Sequence, residues 1–225
     1  MTGETALLVL AGGRSERMGR DKAWLPVDGR PALLRVIEAG RDAGVDRIVV
    51  VGSPGQPLPP LPPGVTRVDD PAERTHEGPL SGLAAGLEEL AAHGVALACL
   101  AACDAVWLSP EHVRFVLERL RASPEHDAVV PEDEPMSAGP DDPEGRRVLH
   151  PLCAAVRVAA ACEAARVLLL AGQRAARALV LELSALGLPV DALPEPRVVE
   201  ACNTPQQWAA AVAALRDRPG SGRTG

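Results

Sequence analysis

Aromatic side chains are nearly absent: they make up 2% of the 225 residues, with three Trp, one Phe and no Tyr. The core must therefore be aliphatic, and a ligand ring would find few aromatic faces to stack on. No apolar run reaches the length of about eighteen residues that a spanning helix needs, so no membrane segment is expected. The start, Met1-Thr2-Gly3-Glu4-Thr5, lacks the basic and apolar stretches of a signal peptide, and a cytoplasmic protein is expected. Positive charge is not in excess either, with 23 Lys and Arg against 30 Asp and Glu and a formal charge of -7. That balance argues against general nucleic-acid binding, which needs a basic surface. The five cysteines, Cys99, Cys103, Cys153, Cys162 and Cys202, are odd in number and form no C-x-x-C pair. In a reducing compartment they read as small buried apolar residues.

What the chain does have is an apolar-to-basic transition at Leu7–Lys22, Leu-Leu-Val-Leu-Ala-Gly-Gly-Arg-Ser-Glu-Arg-Met-Gly-Arg-Asp-Lys. A strand running into Gly12-Gly13 allows backbone amides to approach an anion, and Arg14, Arg17, Arg20 and Lys22 add charge. The spacing fits neither G-x-G-x-x-G nor G-x-x-x-x-G-K-[ST]. On these residues alone, a tight turn with a solvated basic face explains the stretch as well as a phosphate site does.

Further along, Arg30–Ala43 has a helical apolar pattern stopped by Gly44, and Arg47–Val51 reads as a strand. Residues 53–64 are Pro- and Gly-rich, and Val65–Val68 is a short extended piece before Asp69-Asp70. Gly78-Pro79-Leu80 opens a helix to Ala92, and Ala96–Ala102 is a fully apolar strand running into Cys103-Asp104. Pro110–Arg121 is amphipathic, with Val113, Val116, Leu117 and Leu120 facing inward, and Asp127–Val130 is another short strand. Leu149–Val156 is expected as a strand, Val158–Leu170 and Arg174–Leu186 as helices, with extended pieces near Val190 and Val198. Thr204 and Pro205 are an N-cap and first helical residue for the last helix. This alternation indicates an α/β fold with a parallel sheet and right-handed crossovers. Ligands of such sheets bind beyond the carboxyl ends of the strands, where Gly12-Gly13 and Asp104 both fall. One domain is expected over residues 1–217. Residues 131–147 read as an acidic mobile loop and 218–225 as a disordered tail.

Leu10-Ala11-Gly12-Gly13, Ser15, Arg17-Met18-Gly19, Asp21-Lys22, Gly78-Pro79-Leu80 with Gly82, Asp104, His150-Pro151, Ala171-Gly172 with Arg174, and Asn203-Thr204-Pro205 stand in a recognisable order. Together they resemble the molybdenum cofactor guanylyltransferase (MobA-like) family of nucleotidyltransferases, over about residues 6–215. The resemblance implies a Rossmann-like three-layer fold of the nucleotide-diphospho-sugar transferase type, with a nucleotide-binding half at about 1–130 and an acceptor-binding half at about 148–217. It implies transfer of GMP from GTP to the terminal phosphate of molybdopterin, release of pyrophosphate, and a Mg²⁺ requirement. Arg17 and Lys22 would hold the triphosphate with the amides of Gly12 and Gly13, and Asp104 would ligate Mg²⁺. Leu10, Ala11, Asp70, Gly78, Pro79 and Leu80 would complete the nucleotide site, Asp70 near the guanine. His150, Arg174 and Asn203 would face the pterin. GTP and molybdopterin are then the small-molecule substrates, and a molybdoenzyme or chaperone is a partner for the product; nothing in the sequence marks an oligomeric state.

Each residue has a structural alternative: Asp104 as a turn cap, Lys22 and Arg17 as surface cations, Gly78-Pro79 as helix punctuation, and His150 as a structural histidine. The chain departs from the family pattern at Val106, where Pro is common, at Ala201, and at Gln206-Gln207. A cytidylyltransferase, a transferase for another phosphorylated acceptor, and a non-catalytic nucleotide-binding module remain the competing functions.

Overall fold

Alternation within the first strand sets the architecture. In β1 (Thr5–Leu10), Leu7 and Val9 enter one apolar cluster while Ala6 and Leu8 enter a second, so both faces of the strand are covered. The computed structural model describes residues 3–12, 21–71, 78–133 and 147–217. The further strands are β2 (Pro26–Val27), β3 (Arg30–Pro31), β4 (Arg47–Gly52), β5 (Val65–Asp69), β6 (Leu97–Ala102), β7 (Ala128–Glu132), β8 (Ala155–Arg157) and β9 (Ala185–Pro189). The helices are α1 (Ala32–Ala43), α2 (Pro79–Ala92), α3 (Pro110–Arg121), α4 (Val158–Leu170), α5 (Ala176–Glu182) and α6 (Pro205–Arg216).

Seven strands form one sheet in the order β5-β4-β1-β6-β8-β7-β9, parallel except for β8; β2 and β3 make a separate hairpin. Helices α1, α3 and α6 cover one face and α2, α4 and α5 the other, giving three layers. Cys99, Cys103, Cys153 and Cys202 are buried free thiols, and Cys162 is half-buried. No helix among the described residues is long and apolar enough to cross a membrane.

Local stop and start signals act as the sequence indicates. Gly44 ends α1 in the left-handed conformation at φ 80°. Thr204 caps α6, and Gln207 completes a reciprocal capping box.

Three segments differ from their sequence-based expectation. Leu149–Val156 is not one strand: Pro151–Cys153 forms a 3-10 turn and the strand that pairs in the sheet is Ala155–Arg157. Pro151 has no N–H to give a ladder. The chain also re-enters the sheet where β7 leaves it, through the Glu132–Leu149 bridge and the His150 N–H on Pro131 O at 2.9 Å. From that edge it can only run back antiparallel. The helix expected over Arg174–Leu186 stops at Glu182, because Ala185–Pro189 pairs parallel with β7 and this tertiary pairing overrides a helical pattern. The extended pieces near Val190 and Val198 are 3-10 turns, Val190–Ala192 and Pro196–Val199. The parts of the acidic loop at 134–146 and of the tail at 218–225 lie outside the described residues.

One buried histidine has a pH consequence. His112, in the first turn of α3, is fully buried, and its Nε2 lies 2.9 Å from Cys153 O. A carbonyl only accepts, so Nε2 carries a proton; Nδ1 has no hydrogen-bond partner among the described residues. Burial pushes this imidazole below its ordinary value of 6.5. The unfolded chain therefore takes up a proton that the folded ring refuses, and acid favours unfolding. We expect His112's contribution to be fully present above about pH 6.5 and lost as pH falls below it. Denaturant midpoints measured from pH 8 to 5 should show a steeper acid loss in the wild type than in His112→Gln. Parallel curves for the two proteins would contradict the assignment.

Candidate active site

The carboxyl ends of β1 and β6 lie side by side, with Leu10 in register with Ala102. The Cys103 N–H donates to Leu10 O at 2.9 Å, which carries the β6 chain one residue further along β1 and sets Asp104 at the sheet edge. The following turn closes through Val106 N–H on Asp104 O at 2.8 Å and Leu108 N–H on Ala105 O at 3.0 Å. Stiffness that a proline at position 106 would give comes here from packing. The Arg35 Nε donates to Val106 O at 3.1 Å, and buried Trp107 lies under the Arg197 guanidinium, 3.7 Å from the ring centroid.

Lys22 reaches this edge from a 3-10 turn, Lys22–Trp24, that Asp21 caps through a 2.9 Å bond from Ala23 N–H. Its Nζ lies 2.6 Å from Asp104 Oδ2 and 3.2 Å from Asn203 Oδ1. The pair is partly shielded, with side-chain exposures of 24% for Lys22 and 14% for Asp104. Asn203 stands just ahead of α6, and Gln207 Oε1 holds its N–H at 2.9 Å. Helix α6 is in turn fastened behind Lys22, through Trp208 Nε1 on Pro26 O at 3.3 Å and an Arg216–Asp28 ion pair at 2.6 Å. Lys22 is therefore no freely solvated surface cation, and Asp104 makes an ion pair with it.

Burial, aided by the charges of Asp104 and Asp21, pushes the adjoining Cys103 thiol well above the ordinary thiol range. Cys103 is a buried wall of the site and no nucleophile.

The other expected residues fall into separate groups. Ala11 and Gly12 donate their N–H groups to Val51 O at 2.7 and 3.2 Å. The Gly12 N–H, expected to approach a phosphate, here bonds the neighbouring strand end. Gly12 serves close approach instead: a Cβ there would lie 3.2 Å from Ser53 Oγ. Asp70 is anchored by its N–H on Gly52 O at 2.8 Å, and its Oδ1 accepts from buried Ser81 Oγ at 2.6 Å. Gly78-Pro79-Leu80 abuts Arg174, whose carbonyl accepts the Leu80 N–H at 3.1 Å. His150 Nε2 lies 3.2 Å from Asp133 Oδ2 at the carboxyl end of β7. Of the three residues expected to face an acceptor, only Asn203 joins Lys22 and Asp104; Arg174 meets the α2 start and His150 the β7 end. Gly13 and Arg17 lie outside the described residues. Sequence reasoning missed Ser81 and Gln56, both polar residues in segments whose patterns signal only a helix start and a loop.

Among the described residues no cluster of three or more His, Cys, Asp or Glu could hold a metal. Two oxygens, Asp104 Oδ2 and Asn203 Oδ1, do converge on one ammonium group. One carboxylate and one amide oxygen suit a hard cation that keeps water and takes substrate phosphates, as Mg²⁺ does.

A model of the MobA-like NTP transferase domain matches residues 7–186. The chain belongs to the MobA-like NTP transferase family. A probable molybdenum cofactor guanylyltransferase of Mycobacterium avium is 40% identical over 109 residues, 48% of this chain and 53% of that protein. One of Mycobacterium tuberculosis is 40% identical over 113 residues, 50% of this chain and 54% of that protein. The match thus spans about half the length of these relatives. Molybdopterin-guanine dinucleotide biosynthesis protein A of Archaeoglobus fulgidus shares the fold at a TM-score of 0.70 and 18% identity, over 95% of this chain and 100% of that one. So does 2-C-methyl-D-erythritol 4-phosphate cytidylyltransferase of Thermus thermophilus, at 0.67 and 22%, over 95% and 99%. This MobA-like chain thus shares its fold with both of these proteins, and its function must be argued from the side chains of its site.

Proposed function

We propose that the protein transfers GMP from GTP to molybdopterin with release of pyrophosphate. The observation that carries the reading is Lys22 paired with Asp104 and Asn203 at the carboxyl edge of β1 and β6, in a chain whose family is MobA-like. The names of the mycobacterial relatives supply the guanylyl and molybdenum cofactor specificity.

In this reading an oxygen of the acceptor's phosphate attacks the α-phosphorus of GTP, and the bond to the β-phosphate oxygen breaks. The nucleophile is already ionised, so no general base is needed, and the protein's task is positioning and neutralising charge. Lys22 exchanges its contact with Asp104 for the triphosphate, together with Arg17 and the Gly13 amide. Asp104 and Asn203 would be the residues to hold Mg²⁺, whose charge would offset that of the triphosphate and the departing pyrophosphate. Asp70, steadied by Ser81, accepts from the guanine N1–H and exocyclic amine, beside Leu10, Ala11, Gly78, Pro79 and Leu80. Arg174 and His150 line the acceptor's side. The whole works as one nucleotidyltransferase domain in the cytoplasm, its product passing to a molybdoenzyme or its chaperone.

The test is mass spectrometry of the products formed with Mg²⁺, molybdopterin and either GTP or CTP. The guanine dinucleotide form of the cofactor is expected, with turnover on CTP lower by about 10⁴-fold, as for a site built to hydrogen-bond groups that the competitor lacks. Product from CTP alone would overturn the guanine assignment, and product from neither would favour a nucleotide-binding module.

A further inference from the structure

The loop after β4 reads in sequence as Pro- and Gly-rich spacer, yet one side chain in it ties together three segments of the site. Gln56 uses its whole carboxamide. Its Oε1 accepts the Ser53 N–H at 2.9 Å, and its Nε2 donates to Ala11 O at 3.0 Å and to Asp21 Oδ2 at 2.6 Å. One acceptor and two donors are thus satisfied in a single geometry that only an amide of this length provides. Asp21 uses its other oxygen, Oδ1, to cap the Lys22–Trp24 turn through Ala23 N–H at 2.9 Å. The Gln56 amide therefore bonds the carboxylate that orients the turn carrying Lys22.

The loop that presents Gln56 is itself held. The Gln56 N–H closes a turn on Ser53 O at 3.0 Å, with Gly55 at φ 72°. Arg67 of β5 donates to Gln56 O at 3.0 Å and to Ser53 O at 3.2 Å, and its Nε bonds Asp69 Oδ1 at 2.9 Å, one residue before Asp70. Gly52 leaves the space: a Cβ there would lie 3.2 Å from both Gln56 Oε1 and Leu58 Cδ1. Gln56 thus stands where the end of β1, the Lys22 turn and the β5 end meet.

We propose that Gln56 is a positioning residue for nucleotide transfer, locking the Asp21–Lys22 turn to the end of β1 so that the Lys22 ammonium is presented at the shared carboxyl edge of β1 and β6. The inference rests on the transferase reading above for its chemistry, but its mechanical content stands apart from it. Gln56 touches no reacting atom. Its effect belongs to the placement of a charge needed in the transition state, so it should register in kcat more than in KM.

The charge on the amide gives the distinguishing experiment. In Gln56→Glu a carboxylate faces the Asp21 carboxylate and the Ala11 carbonyl, and only its protonated form recovers a donor. Four full-length proteins are compared: wild type, Gln56→Ala, Gln56→Glu, and Gln56→Glu combined with Asp21→Asn, which restores a donor–acceptor pair with the roles exchanged. Turnover with GTP, Mg²⁺ and molybdopterin is measured from pH 5.5 to 8.5, and hydrogen–deuterium exchange is followed at residues 21–25 of the free protein. For Gln56→Ala we expect kcat lower by about tenfold, the loss of one hydrogen bond to a charged group, with KM for GTP changed less than about threefold. Gln56→Glu should be worse at pH 8.5 and recover toward pH 5.5, and the double variant should regain part of the loss at high pH. Exchange in the 21–25 segment should be about tenfold faster in Gln56→Ala. Unaltered exchange there, or equal pH profiles for Gln56→Ala and Gln56→Glu, overturns the proposal. Faster exchange in the variant with no transfer by the wild type overturns the transferase reading instead, and with it the catalytic part of Gln56's role.

Discussion

Asp104→Ala will lower turnover by about a thousandfold while the protein remains folded, the loss expected when a group aimed at transition-state charge is removed. Two effects must be separated. The first is structural: Asp104 is the ion-pair partner of Lys22, at 2.6 Å and mostly shielded from water. Breaking a fully buried pair is costly, but Lys22 keeps Asn203 Oδ1 at 3.2 Å and its side chain is 24% exposed, so the stranded ammonium can reach solvent. The stability cost should then be about 1 kcal/mol, between surface and buried values. In a chain of this size that lowers Tm by about 2–4 °C. The second effect is chemical: without the carboxylate one of the two oxygens suited to Mg²⁺ is gone. A thermal melt and a turnover assay on the same sample distinguish the two. Near-normal turnover would remove Asp104 from the machinery, and a melt lowered by tens of degrees would mean the residue is chiefly structural.

Gly78→Ala should give the largest loss of stability among single-methyl changes in the site. Gly78 has φ 134°, a conformation costly for any residue with a Cβ. An added Cβ would also sit 2.5 Å from Arg174 O and 3.1 Å from Arg174 C, atoms of the backbone that cannot rotate away. To admit the methyl group, the α4–α5 connection must separate from the start of α2, losing the Leu80 N–H bond to Arg174 O. Strain and overpacking together cost about 3 kcal/mol, or a Tm lower by about 6–12 °C. Gly44→Ala is the control. Its φ is 80° with nothing within 4 Å of the added Cβ, so only the left-handed penalty of about 1–2 kcal/mol applies. Equal melting losses in the two variants would show that close approach is not what requires glycine at 78. Because Leu80 and Ser81 follow directly, weaker GTP binding should accompany the Gly78→Ala loss.

Elements specified by neighbouring residues were legible in the chain. Gly44 ends α1 and Thr204 starts α6 through bonds within a few residues, and such signals survive folding unchanged. Apolar strands covered on both faces also announced a mostly parallel sheet. What was not legible depends on partners far along the chain. β8 runs antiparallel because of where the chain re-enters the sheet, and Ala185–Pro189 is a strand because β7 is beside it. The same division holds at the site. Lys22 and Asp104 stand in motifs, but Asn203 meets Lys22 across 181 positions and Gln56 meets Asp21 across 35. No local pattern marks either pairing. At Gly12 too the direction of the N–H depends on a distant partner, the end of β4.

The placement of Asn203 also bears on how the protein is made. During synthesis the chain acquires Lys22 first and Asp104 next, but Asn203, with the helix that docks behind Lys22 on Pro26 and Asp28, comes only after the nine strands among the described residues. A growing chain could therefore assemble its sheet and bury its core while still lacking one wall of its reaction centre.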